Sequence, residues 1–129
     1  MDENQISKII VDAAIEVHRT LGGPGLLESI YEEALALELV SRGVRIERQI
    51  SVPVFYKGVR LALKFRIDML ANEIVVIECK ATPKYDKVFE SQALTYLRIR
   101  NLRLAMVINF GERRVTTGIH RVVSGLPDV

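Results

Sequence analysis

The chain has 129 residues, 49 per cent apolar and 26 per cent charged, the size and composition of one globular domain rather than of a disordered chain. Its formal charge of +2 excludes a protein that is basic all over, so any surface for polyanions has to be a local patch. A single cysteine excludes an internal disulfide and a cysteine-based zinc cluster.

Met1 to Gln5 is acidic and polar, without the basic-then-apolar pattern of a signal peptide, and no apolar run reaches membrane-spanning length; the expected compartment is a reducing cytoplasm. Ile6, Ile9, Ile10, Ala13, Ala14 and Val17 recur at helical spacing, which predicts an amphipathic core helix over residues 4–20 with Asp2 or Asn4 as its cap. His18, near its end, reads as structural or solvated. The run Leu21, Gly22, Gly23, Pro24, Gly25 breaks the helix. A second helix is predicted over 26–42 from Leu27, Ile30, Tyr31, Ala34 and Leu35, with Gly43 as its stop. Glu28 lies in its first turn and shares an edge of the apolar stripe with Tyr31, Glu32 and Leu35. It is either a helix-start carboxylate favoured by the dipole or one able to reach across to a metal.

Residues 45–56, with Pro53 inside, read as an edge strand, and Lys57 and Gly58 as a turn. Next, Leu61, Leu63, Phe65, Ile67 and Met69 alternate with Arg60, Ala62, Lys64, Arg66 and Asp68, predicting a strand whose first set is buried. Leu70 to Glu73 is short enough for a hairpin, with Asn72 able to take an unusual turn conformation. Ile74 to Ile77 is apolar on both faces, as in a central strand, and ends at Glu78, Cys79 and Lys80. Glu78 and Lys80 point one way and Cys79 the other. A hairpin makes these strands neighbours and brings Asp68 toward Glu78. Two adjacent carboxylates repel unless a cation or a proton intervenes. Hard oxygen donors suit Mg²⁺ or Mn²⁺, and a neighbouring ammonium can orient a water or stabilise a developing phosphoryl charge. The pattern reads as a phosphodiester-cutting site; charged residues also commonly end strands in solvent, and the two strands alone leave both readings open.

A third helix is predicted over 85–100, with Val88, Phe89, Gln92, Ala93, Tyr96 and Leu97 inward. The Gln92 amide in that apolar stripe needs a partner, whether a carboxylate, a phosphate or a plain core hydrogen bond. Tyr96 lies one turn on. The strand expected from Leu102 to Asn109 follows a crossover helix and is therefore parallel to 74–80. A turn at Phe110 and Gly111, a strand from Arg114 to Val122 and a loose tail over 124–129 complete the chain. The sequence thus describes one α/β domain over 1–129, with its core at about 6–123 and a mixed central sheet flanked by helices.

The order of elements, with Asp68 ending one strand and Glu78, Cys79, Lys80 the next, resembles the restriction-endonuclease-like αβββαβ core of the PD-(D/E)XK nuclease superfamily. More narrowly, Gly25, Leu26, Leu27, Glu28, Ser29, Ile30, Tyr31 is similar to the signature of the GxxExxY protein family. The similarity continues through Arg48 and Gln49, Val54 to Gly58, Phe65 to Leu70, Gln92 with Thr95, Tyr96 and Leu97, and Ile108 to Phe110. This resemblance implies a nuclease that hydrolyses DNA phosphodiesters with Mg²⁺ or Mn²⁺. Metal would be held by Glu28, Asp68, Glu78 and the main-chain carbonyl of Cys79. Lys80 would position the water, Gln92 would orient Lys80 or a phosphate, and Tyr31 and Tyr96 would support these groups from behind. Phe89 stands where members of the family often carry histidine; the helical stripe places it away from Asp68, Glu78 and Lys80. Lys64, Arg66, Lys84 and Lys87 are the candidate nucleic-acid contacts. A homodimer is the expected way for so small a domain to address two strands. The alternative is a non-catalytic module that keeps the fold and binds nucleic acid or protein.

Overall fold

The computed structural model describes residues 1–126; the last three residues of the tail expected over 124–129 lie outside them. Two helices, α1 (Glu3–Thr20) and α2 (Glu28–Ser41), precede three strands, β1 (Ile46–Tyr56), β2 (Val59–Ala71) and β3 (Val75–Lys80). Helix α3 (Val88–Arg100) then leads to β4 (Leu104–Asn109), a 3-10 turn (Val115–Gly118) and β5 (Ile119–Val123). The five strands lie side by side in chain order. Only β3 and β4 are parallel, as the crossover through α3 requires. No described helix is long and apolar enough to cross a membrane.

Apolar periodicity explains the layering. Ile6, Ile10, Ala13 and Ala14 of α1 pack with Tyr31, Leu35 and Leu39 of α2 against one face of the sheet, which contributes Val75, Ile77, Leu104, Met106 and Ile108. The other face, Val52, Ile67, Val76, Ala105 and Val107, is covered by Ala93 and Leu97 of α3. With both faces covered, β4 is buried along its whole length and β3 up to Lys80. Helix α1 starts with a capping box, in which Asp2 accepts from the Gln5 main chain and the Gln5 side chain accepts from that of Asp2. The β2–β3 turn has positive φ at both Asn72 (47°) and Glu73 (63°), the backbone of a tight primed hairpin.

Several expectations are corrected. Strand β2 does not bury one continuous face: Leu61 and Leu63 are exposed, because the β1–β2 hairpin runs out beyond the reach of α3. Alternation also switches faces once. Ile67 packs with α3, whereas Met69, two residues on, packs with α1 and α2. The cause lies directly across the ladder, where pairing skips Gln49 and Asp68 between Arg48↔Met69 and Ile50↔Ile67. Gln49 there takes φ 52°. In α3 the buried stripe centres on Ala93 and Leu97, which turns Val88 and Gln92 to solvent. That helix starts at Val88 rather than Tyr85, where Asp86 Oδ1 accepts from the Val88 main chain at 2.9 Å. The first half of the strand expected over 114–122 is the 3-10 turn. Ser124 is tied to the Arg103 carbonyl at 2.9 Å and Leu126 packs against the core, so the tail is anchored that far.

The ends of β3 and β4 are locked together. The fully buried Asn109 accepts from the main chains of Thr82 and Gly111, each at 3.0 Å, and donates to the Thr82 carbonyl at 3.0 Å. Phe110 N–H donates to the Lys80 carbonyl at 2.8 Å. A Cβ on Gly111 would lie 2.4 Å from the Thr82 oxygen and 2.6 Å from its nitrogen, so only glycine fits there. Gly111→Ala should therefore destabilise the fold by roughly 2 kcal/mol or more and lower Tm by about 5–10 °C. Thermal unfolding followed by circular dichroism checks this, and an unchanged Tm would contradict the close approach.

Candidate active site

Strands β2 and β3 pair from Ala71↔Val75 to Met69↔Ile77, and the ladder stops one position short of Asp68 and Glu78. Beyond that point side chains replace the main-chain pairing. Asp68 N–H donates to Glu78 Oε1 at 3.1 Å, and Cys79 N–H donates to Asp68 Oδ2 at 2.8 Å. The two carboxyl groups thus cross-brace a fork between the strands. The N–H and C=O of one strand residue point to the same side, so the Cys79 carbonyl also faces this fork.

Burial decides the electrostatics. Glu78 is only 5 per cent exposed, and desolvation, followed by the charge of Asp68, pushes its pKa up to about 8. Asp68 is also raised, chiefly by burial, against the opposing pull of its Cys79 hydrogen bond. Burial and mutual repulsion therefore favour a proton on the metal-free pair at neutral pH. Burial and the surrounding carboxylates push the Cys79 thiol well up as well, which rules it out as a nucleophile.

Glu28 stands at the mouth of the fork, at the first residue of α2. Its pKa is raised by desolvation and by Asp68 and Glu32, and lowered by Lys80 and the Ala81 main chain, which places it within electrostatic reach of the pair. Helix α2 has no side-chain cap; the buried Tyr31 holds its entry loop instead. The Tyr31 hydroxyl donates to the Gly23 carbonyl at 2.6 Å and accepts from Leu26 N–H at 3.2 Å, while its ring stacks on Phe110 at 4.8 Å. Tyr31 thus fixes the loop that delivers Glu28 and does not touch the carboxylates.

Lys80 lies at the end of β3, with its Nζ 4.7 Å from the centre of the Phe89 ring. This corrects the expectation that Phe89 stands clear of the three central residues: Phe89 faces Lys80, and Gln92 points to solvent. Tyr96 is half-buried, packs edge-on against Phe65 at 5.3 Å, and has its hydroxyl pKa raised by burial and then by Glu78 and Asp68. Lys64 and Arg66 are exposed on β2, Lys84 and Lys87 on the loop before α3.

One group escaped the sequence reading. Glu32, 5 per cent exposed, accepts from Arg48 Nη2 at 2.9 Å and from Gln49 Nε2 at 2.9 and 3.0 Å. Gln49 is the left-handed residue opposite Asp68, so this clamp pins the kink that re-aims β2. The available signal was the spacing of Glu28 and Glu32, one helical turn apart, together with the adjacent Arg48 and Gln49.

The donor set suits a hard divalent cation. Two buried carboxyl groups whose pKa values are raised by desolvation, beside an inward main-chain carbonyl, match an ion that takes few protein oxygens and keeps several waters. Among the described residues, no group of three or more His, Cys, Asp or Glu side chains converges as a metal cage; Asp68 and Glu78 meet, and Glu28 stands apart.

A mixed sheet covered on both faces, with an acid pair at a strand fork and a lysine beside it, defines a nuclease-like α/β domain. A sequence model of the PD-(D/E)XK nuclease superfamily matches residues 4–122, and the chain belongs to that superfamily. No curated protein and no solved structure matches the chain. Membership carries a nuclease-like function acting on nucleic acid, in a superfamily whose nucleases generally depend on a divalent metal.

Proton linkage tests the fork. The folded pKa of Glu78, about 8, lies above its ordinary value of 4.5, so the folded state binds the extra proton between those values. The stability it contributes is full below about pH 4.5 and lost as pH rises through about 8. In EDTA, Tm should fall from pH 5 to pH 8.5. Glu78→Gln keeps an acceptor for Asp68 N–H and supplies a permanent donor to the Asp68 carboxylate, so it should flatten that fall and exceed the native Tm at pH 8.5. Equal pH slopes in the two proteins would contradict the shared proton.

Proposed function

We propose that this chain is a Mg²⁺- or Mn²⁺-dependent nuclease that hydrolyses DNA phosphodiesters, and that it belongs to the GxxExxY group within its superfamily. The observation that carries this reading is the Asp68–Glu78 fork with Lys80 two residues beyond. A divalent ion bound there supplies charge neutralisation and an acidified water. Asp68, deprotonated Glu78 and the Cys79 carbonyl are the groups that would hold it, with Glu28 joining from the mouth of α2. Lys80 is aligned over the Phe89 ring and holds a positive charge where the attacking water and the scissile phosphate meet, orienting the first and stabilising the developing charge on the second. Tyr31 and the Glu32–Gln49 clamp set the angles of Glu28 and Asp68. Gln92, exposed on α3, would meet a phosphate of the backbone or orient Lys80. Lys64 and Arg66, exposed on β2, and Lys84 and Lys87, exposed on the loop after Lys80, would supply sequence-independent affinity. A homodimer, one site for each strand of a duplex, is part of this reading.

The outward Gln92 and the distance of Glu28 from the pair favour a second reading, a nucleic-acid-binding module without catalysis. The two separate in one assay: labelled linear, single-stranded, flapped and four-way DNA incubated with Mg²⁺ or Mn²⁺. The nuclease reading expects metal-dependent cutting that falls by about 10²–10³-fold in Lys80→Ala and in Asp68→Asn. Binding by all three proteins with no cutting by any would establish the module instead.

A further inference from the structure

Residues 50–66 form the outer part of the β1–β2 hairpin, and they include Lys57, Arg60, Lys64 and Arg66 but no aspartate or glutamate. The chain has 18 basic and 16 acidic side chains, so this ribbon carries +4 while the remainder of the protein, with 14 basic against 16 acidic, carries −2. All four cations are exposed, and none forms an ion pair among the described residues.

The register puts Lys64 and Arg66 on one face and is broken between Pro53 and Phe55, before Arg60. Arg60 pairs with Phe55, Lys64 with Pro53 and Arg66 with Ser51, and residues two apart on β2 share a side of the ribbon. Lys57 sits in the turn at the far end, with φ 49°. Like charges along one face repel each other and cost stability, and such a row suits a partner that is itself a row of negative charges. The row also has a direction, since Arg66 is two residues from Asp68 and Arg60 is eight. The register shift sets four residues of β2 against two of β1, so the row spans the six residues from Gln49 to Phe55 on β1, roughly 20 Å from the fork at about 3.3–3.4 Å per strand residue. A duplex rises about 3.4 Å per base pair, so that length corresponds to about six base pairs, and a two-stranded ribbon fits a major groove.

We propose that the β1–β2 hairpin is a duplex-binding ribbon that grips the phosphates on one side of the fork, over about six base pairs. This deepens the nuclease reading and rests on it for the identity of the polyanion. An anionic membrane offers the same charge, but a row that ends at a fork of buried carboxylates favours a substrate led into that fork.

The test is fluorescence anisotropy of a labelled duplex of about 24 base pairs, in EDTA so that nothing is cut, across a range of salt. A salt slope of about one per phosphate contact is expected. The variant Lys57→Ala/Arg60→Ala/Lys64→Ala should bind at least tenfold more weakly, with a slope shallower by about three. The cation-preserving variant Arg60→Lys/Lys64→Arg should bind like the native protein. Should the triple variant fail to fold, Lys64→Ala alone should still lower the slope by about one. With the native protein, trimming the duplex below about six base pairs on one side of the cut should weaken binding, and the triple variant should be indifferent to that trimming.

Unchanged affinity and slope in the triple variant would overturn the ribbon, as would no duplex binding by the native protein. Hairpin-dependent binding to phosphatidylserine vesicles in preference to the duplex would also overturn it. The nuclease reading is scored separately by cutting in Mg²⁺. Cutting with hairpin-independent binding removes the ribbon alone, and hairpin-dependent binding without cutting removes the nuclease alone.

Discussion

Two carboxyl groups held against each other inside a protein are unstable unless something relieves their repulsion, and the Asp68–Glu78 fork is built around that constraint. Each group takes a main-chain N–H from the other strand, where the ladder would otherwise have continued. These bonds satisfy donors that the parting strands leave orphaned, and they fix both carboxyl groups to backbone rather than to mobile side chains. Burial and the remaining repulsion favour a proton on the pair. A bound cation would relieve that repulsion and leave both groups ionised.

Much of the rest of the molecule serves to hold the fork open. On the β2 side, the Glu32 clamp stabilises a left-handed Gln49, whose backbone turn re-aims the strand at Asp68. On the β3 side, Asn109 and the close approach at Gly111 hold the segment from Lys80 to Thr82 to the end of β4. From above, Tyr31 fastens the loop that leads to Glu28. The burial that perturbs the carboxyl groups comes from the same two-sided covering that makes β3 and β4 the most enclosed strands, so the chemistry draws on the stability of the core.

The fold was legible because its signals are periodic. Helical spacing in the first 42 residues, alternation in β2, the doubly apolar β3 and the crossover to β4 each carried their element, and charged residues at the ends of apolar strands located the fork. What stayed hidden depends on backbone angles or on helix rotation. Nothing in a glutamine announces a positive φ, so the face switch at Gln49 was invisible and Met69 was assigned to the wrong side. Neighbouring residues on a helix differ by 100 degrees, so a stripe centred on Ala93 turns Gln92 out, although both read as part of one apolar pattern. Phe89 beneath Lys80 follows from the same rotation. The exposure of Leu61 and Leu63 reflects the length of a hairpin that outruns its covering helix, which depends on three-dimensional arrangement and not on alternation.

The central claim is that Asp68 and Glu78 share a proton in a site made for a divalent ion. Calorimetric titration with Mn²⁺ at pH 7, repeated in buffers of different ionisation enthalpy, counts the protons released per ion bound. The account predicts binding with release of about one proton, because Glu78 must ionise to accept the metal, and loss of that binding in Asp68→Asn. Binding without proton release, or binding that survives in Asp68→Asn, would contradict it.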